Sequence, residues 1–432
     1  MQALLSFDRA PPLAAPLRFL VTAPLFVAAL GLLLLFQGSD VFSSRWSPAA
    51  LAATHLVTVG FFLQVMLGAL IQILPVVAGA NVPRPLALAV PLHGGLTLGA
   101  IALVLAFLVP DPRLYLLAAV LLGSSVAGFL VVAGGALFRV PSTSPTIVGL
   151  KLAFGGLAAV GGLGVLLLGA LAFGANLPLV ALTDLHAGWG FAAWVGILLA
   201  SLAYVVVPMF QLTPGYPARL SRVFPWALFV LLLLWSAAVV LDLPLLARVA
   251  EGCAALAGIF IAAYTLRLQG KRRRARADAT YRLWQLGLVS LLAALALAVA
   301  DALFPAFAAL AGWTALFAVL IGVGGYMSLI IGMLYKIVPF LAWLHLRNDS
   351  QGRPVPSVSK LLPESRALAQ AGAHGVAVVL LALAALAPDL AARAAGLALL
   401  VAALWLEANL VSVLRHYHRV RGEMSAAPTQ GA

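Results

Sequence analysis

Charge is what this chain has least of. Of its 432 residues only 9% are charged, while 64% are hydrophobic and the mean hydropathy is +1.10. A water-soluble domain carries charge on about a quarter of its residues, so this chain has too little to cover a globular surface. There is a single cysteine, Cys253, which excludes an internal disulfide framework and reads as a buried, inert thiol. No HxxxH or CxxC spacing occurs, so no local metal motif is present. The apolar runs do not alternate with polar residues, which excludes barrel strands. The run from Phe19 to Phe36 lacks a small-residue cleavage site and reads as an uncleaved first helix rather than a signal peptide.

What is there is a series of apolar runs of about 20 residues, the length that crosses a bilayer as a helix. They fall at 19–37, 49–74, 86–109, 114–138, 147–173, 180–210, 224–241, 246–267, 283–304, 308–343, 366–387 and 391–414. The expected fold is therefore all-α, a single transmembrane domain over 1–432 with about twelve spans in contact with the lipid bilayer. Of 26 basic residues, 21 fall in the N-terminus, the even-numbered loops and the C-terminus, 4 in the odd-numbered loops, and Lys336 inside a span. That imbalance predicts both termini in the cytoplasm, in a bacterial inner membrane. It also assigns the Lys271–Arg276 run, and with it the net charge of +13, to topology and anionic headgroups rather than to nucleic acid.

Spans two, six and ten end alike, in Gly68-Ala-Leu-Ile-Gln-Ile-Leu-Pro75, Ser201-Leu-Ala-Tyr-Val-Val-Val-Pro208 and Gly332-Met-Leu-Tyr-Lys-Ile-Val-Pro339. The prolines stand 133 and 131 residues apart, four helices each time. Small residues allow close helix approach and prolines bend helices. The spacing predicts three pseudo-repeated four-helix arcs, at about 19–138, 147–267 and 283–414, with spans two, six and ten in equivalent central places.

Ionisable groups at membrane depth are costly and mark function. His55 and His186 occur early in spans two and six, which run the same way, so both are expected in the outer half of the bilayer. His93 and His374 occur early in spans three and eleven and are expected in the inner half. Neutral imidazole ligates haem iron, copper and zinc, and facing helices can supply such ligands. His55 and His186 are the first candidates as cofactor and metal ligands, His93 and His374 the second; the competing reading of each is a hydrogen bond to backbone, Asp184 or Gln64. His345 is placed at the inner end of span ten, and His416 and His418 in a solvated tail. Gln64, Gln72, Asp184, Glu251, Lys336 and Glu407 are the other intramembrane polar groups, and a Lys336–Glu407 pair is expected from their depth. Trp189 and Trp194 are expected to pack, with flanking of a porphyrin as the other reading.

Twelve helices, three repeats and histidines early in spans two and six together resemble the haem–copper oxidase superfamily. The segments His55-Leu-Val-Thr-Val-Gly60 and His186-Ala-Gly-Trp-Gly190 look most like its NnrS-type relatives. The resemblance implies a haem ligand at His55, a copper ligand at His186 and a membrane redox partner. The oxidases also place a His-x-His pair in span ten and a His-His pair in span seven; Ala311-Gly312-Trp313 opens span ten here, and neither span holds those pairs. The implied protein binds haem or copper in nitric oxide stress or respiratory redox physiology, without a complete oxygen-reducing centre and without terminal oxidase turnover. The alternative is a cofactor-free transporter or channel, since proline-broken central helices also build transport sites, or an assembly subunit of a membrane complex.

Overall fold

A computed structural model describes residues 10–273, 276–304, 306–307, 310–350 and 353–426. Arg9 and Arg274 of the basic set, and the expected start of span ten at 308, lie outside the described residues. The described regular structure is all helical, and twelve helices are long and apolar enough to cross a membrane. They are α1 (Ala14–Gln37), α2 (Pro48–Ala78), α3 (Pro85–Leu108), α4 (Pro112–Phe138), α5 (Pro145–Phe173) and α6 (Leu179–Gln211). There follow α7 (Ala218–Val240), α8 (Pro244–Gly270), α9 (Ala279–Leu303), α10 (Trp313–Asp349), α11 (Glu364–Leu386) and α12 (Pro388–Met424). The protein is an all-α integral membrane protein of about twelve spans, twelve among the described residues. An even number of spans puts the first and last described residues on one face, called here the termini face; the opposite one is the far face.

Local sequence explains where the spans begin. Proline opens α2, α3, α4, α5, α8 and α12, where its missing N–H costs nothing. Ser47, Asp111, Ser144 and Asp278 cap the first free N–H groups of α2, α4, α5 and α9 with their side-chain oxygens. Gly38, Gly79 and Gly174, all at positive φ, end α1, α2 and α5.

Nine spans form a closed ring in which α1 packs on α12 and the order continues through α3, α4, α5, α7, α8, α9 and α11 back to α12. Closure depends on small residues: a Cβ on Gly31 would stand 2.7 Å from the Leu400 nitrogen, so α1 and α12 approach backbone to backbone. Inside the ring lie α2, α6 and α10. The most apolar stretches of α2 and α10 are 83% and 72% buried within the protein, against 22–56% for the peripheral spans. That stretch of α6 reaches only 44% because one flank borders an internal void.

The same three helices share a second feature. Each passes through a π-helical segment of eight or nine residues, at Leu56–Leu63 in α2, Trp189–Ile197 in α6 and Val319–Met327 in α10, before returning to α-helix; shorter five-residue π segments occur at Leu74–Ala78 of α2 and Leu130–Gly134 of α4. π-turns are uncommon and concentrate where helices do something besides span. The three longer segments meet around Tyr326, whose hydroxyl donates to the Phe191 carbonyl at 3.0 Å. The Tyr326 ring also lies against Phe191 and edge-on to Phe62, with centroids 6.4 and 6.3 Å away. One residue of α10 thus joins both of the other central helices.

Candidate functional site

His55 and His186 each sit seven residues inside the far-face end of their helix. The Ser47 cap and Pro48 fix where α2 starts, and the π segment of α2 begins at the residue after His55. The two rings lie next to one another across the α2–α6 junction with centroids 6.3 Å apart and planes 23° from parallel. His55 Nδ1 is 2.8 Å from the Leu51 carbonyl one turn back, and His186 Nδ1 is 3.0 Å from the Val160 carbonyl of α5. A carbonyl only accepts, so each Nδ1 carries the ring proton and each Nε2 keeps its lone pair. Metal-bound histidines are oriented in this way by a backbone acceptor on the other nitrogen.

Two imidazoles bound to one ion through their in-plane nitrogen lone pairs have centroids no more than roughly 6 Å apart, a metal–nitrogen bond of about 2.0 Å plus about 1.1 Å from nitrogen to ring centre on each side, and the 6.3 Å found here lies at that limit. The flanks are closed: the Phe107 ring of α3 stands 5.0 Å from His55, and a Cβ on Gly164 of α5 would come within 3.1 Å of His186 Cε1. Those residues leave the flanks to protein rather than to a porphyrin plane, so the donor set suits a bare ion better than haem. Toward the far face, Asp184 accepts from Arg45 at 2.8 Å, and Arg45 lies over Trp46 with its guanidinium carbon 4.5 Å from the ring centre. Asp184 is therefore not the partner of His186.

The second histidine pair is divided between two helix contacts. The Thr22 hydroxyl donates to the Arg18 carbonyl, so its oxygen accepts from His93 Nε2 at 2.9 Å. That nitrogen carries a proton and is not poised as a ligand. His374 Nε2 is engaged by Ser328 Oγ of α10 at 2.9 Å, and the residue is buried. Among the described residues no cluster of three or more His, Cys, Asp or Glu side chains is arranged to hold a metal.

The contacts decide several further expectations, correcting some and bearing out others. Lys336 pairs with Asp278 at 2.8 Å rather than with Glu407, because the cap of α9 reaches it. Glu407 Oε2 is buried without a hydrogen-bond partner. Cys253 is exposed on α8, so the thiol faces outward instead of lying in the core. His416 and His418 belong to α12, which continues past them, and His416 Nδ1 meets the Ser412 carbonyl at 3.0 Å. His345 bonds the Leu341 and Pro11 carbonyls and ties the segment before α1 to the end of α10. Gln64 donates to Thr97 rather than to a histidine. Trp189 packs edge-on against Phe229 and donates to Ser236 of α7.

The sequence reading missed a large void in the protein. A chamber of about 920 Å³ lies among α6, α7, α8, α9 and α10 and reaches α1, α2 and α11. Neither His55 nor His186 lines it, although their neighbours Thr54 and Ala187 do. Its far-face rim holds Arg45, Asp184, Arg248, Glu251 and Asp301. The signal was Ala247, Ala250, Ala254, Gly258 and Ala262, a stripe of small residues at helical spacing that reduces the bulk of α8 on its chamber face.

No family model matches the chain, and no curated protein matches it.

Proposed function

We propose that the chain is a metal-binding membrane protein that holds one ion between His55 and His186, on the pattern of the haem–copper oxidases and their NnrS-type relatives but without a binuclear centre. The observation that carries the reading is the adjacent imidazole pair, both Nδ1 protons committed to backbone carbonyls. Copper is the metal we assign, because two neutral imidazoles with no carboxylate suit it; haem iron is the other member of the resemblance and would use the same two nitrogens. Bound copper would supply one-electron transfer or a coordination site for a small ligand such as nitric oxide. The chain's own residues do the rest: Leu51 and Val160 orient the rings, Gly164 makes room for one, and Phe107 covers the other.

The basic loops support a reading with the termini face in the cytoplasm of a bacterial inner membrane, in which the ion would lie toward the periplasm and meet a membrane redox partner there. The π segments begin 19, 19 and 20 residues before Pro75, Pro208 and Pro339, which supports three four-helix arcs.

The test is metal analysis and an absorption spectrum of the purified chain after growth with copper. One copper per chain, absent from His55→Ala and from His186→Ala, is the expected result. A Soret band lost in the same variants reassigns the site to haem. A colourless, metal-free, folded protein overturns the proposal in favour of the second reading, a transporter, which the chamber favours.

A further inference from the structure

The chamber has a length and a charge pattern that define an occupant. Along α8 its lining runs from Pro244 to Thr265, about 30 Å at 1.5 Å per residue, close to the full depth of a bilayer core. Its volume of about 920 Å³ is therefore spread along a shaft rather than gathered in a globe. Away from the rim the walls are apolar, with Leu228, Leu232, Leu288, Leu291 and Leu329 opposite the small-residue face of α8. A shaft of that shape accepts a single hydrocarbon chain.

The rim decides what head that chain carries. Arg45 and Asp184 neutralise each other at 2.8 Å. What is left is two carboxylates, Glu251 and Asp301, against one guanidinium, Arg248, all within electrostatic reach of one another. Asp301 Oδ1 is enclosed and has no hydrogen-bond partner. Trp235 and Trp313 line the same end of the chamber, and indole faces attract organic cations. Two carboxylates against one guanidinium offer an entering cation counterions that an anion would not find, and its arrival favours their ionised forms where lipid and protein screen charge poorly.

We propose that the chamber binds a single-chain amphiphilic cation, its ammonium-type head at Glu251 and Asp301 and its tail along α8. The site is separate from His55 and His186, and this proposal stands whether or not a metal binds there.

The test is isothermal titration of the full chain in nanodiscs of zwitterionic lipid, with empty discs as blanks. The probes are decyltrimethylammonium, decyl sulfate and decanol, which share a tail and differ in head. Saturable binding of the ammonium compound is expected, about tenfold tighter than either of the others. The double variant Glu251→Gln/Asp301→Asn should lose that preference, and Ala254→Phe, which plugs the shaft, should lose binding of all three. The proposal is overturned by no saturable heat, by equal or reversed preference among the probes, or by variants that titrate as the parent does. Where Ala254→Phe does not fold, Ala254→Leu serves, and the head preference of the parent chain needs no variant.

Discussion

The two halves of the membrane domain are built to different rules. Near the termini face many polar groups are closed into pairs, with Glu407 Oε2 and Gln72 Oε1 as exceptions: Asp278 with Lys336, Tyr335 with Gln370 and Asn409, Gln269 with Gln211, His374 with Ser328. Toward the far face lie the half-exposed Arg45–Asp184 pair, the two imidazoles with uncommitted Nε2 atoms and the rim of the chamber. One half uses its polar residues to fix helix positions, and the other leaves them available. Ligand chemistry belongs to the second.

That contrast can be broken most decisively at Asp278. It caps α9 and holds a Lys336 side chain that is only 20% exposed. Asp278→Asn leaves that charge without its counterion, and a loss of about 3–5 kcal/mol is expected, read as a fall in the thermal unfolding midpoint in detergent. A change no larger than that of a surface substitution would place the two halves on the same footing. Next in size, His55→Ala or His186→Ala should weaken copper binding at least about a hundredfold, about 2.7 kcal/mol, with the unfolding midpoint of the metal-free chain little changed; competition with a copper chelator measures it. Loss of folding in both variants would instead make the imidazoles structural.

Gly164→Val tests whether the His186 pocket is as tight as its 3.1 Å clearance says. Overpacking there should cost about 1–3 kcal/mol and shift the copper affinity along with the unfolding midpoint. The smallest effect is expected at Arg45–Asp184, whose side chains are 43% and 40% exposed. Asp184→Asn should cost less than about 1 kcal/mol and fade in high salt, a result that a salt series of unfolding curves reads directly.

What could be read from the residues follows the same division. Hydropathy gave the spans to within a few residues, apart from long extensions such as that of α10 to Asp349, because lipid enforces their length. Counting from the repeat prolines put His55 and His186 at one depth, and the structure brings their rings together. Depth is only the axial coordinate, however. It suggested Lys336 with Glu407, whereas the direction around the helix axis gives Lys336 to Asp278; the same missing angle turned Cys253 outward. The π segments have the composition of their α-helical flanks, so nothing in the residues marks them. Asp301 and Arg248 were visible as charges beside apolar runs, but the void that joins them to Glu251 exists only once α8 is packed.

The three π segments have a mechanical consequence. A π turn takes up more residues than an α turn, so each central helix stores spare chain toward the far-face half of its length. A wide turn can migrate along its helix by exchanging one carbonyl partner for the next, which avoids the bare backbone groups that hydrocarbon punishes. Through Tyr326, movement of that slack in α10 would be felt at once by α2 and α6, giving the bundle a piston at its axis.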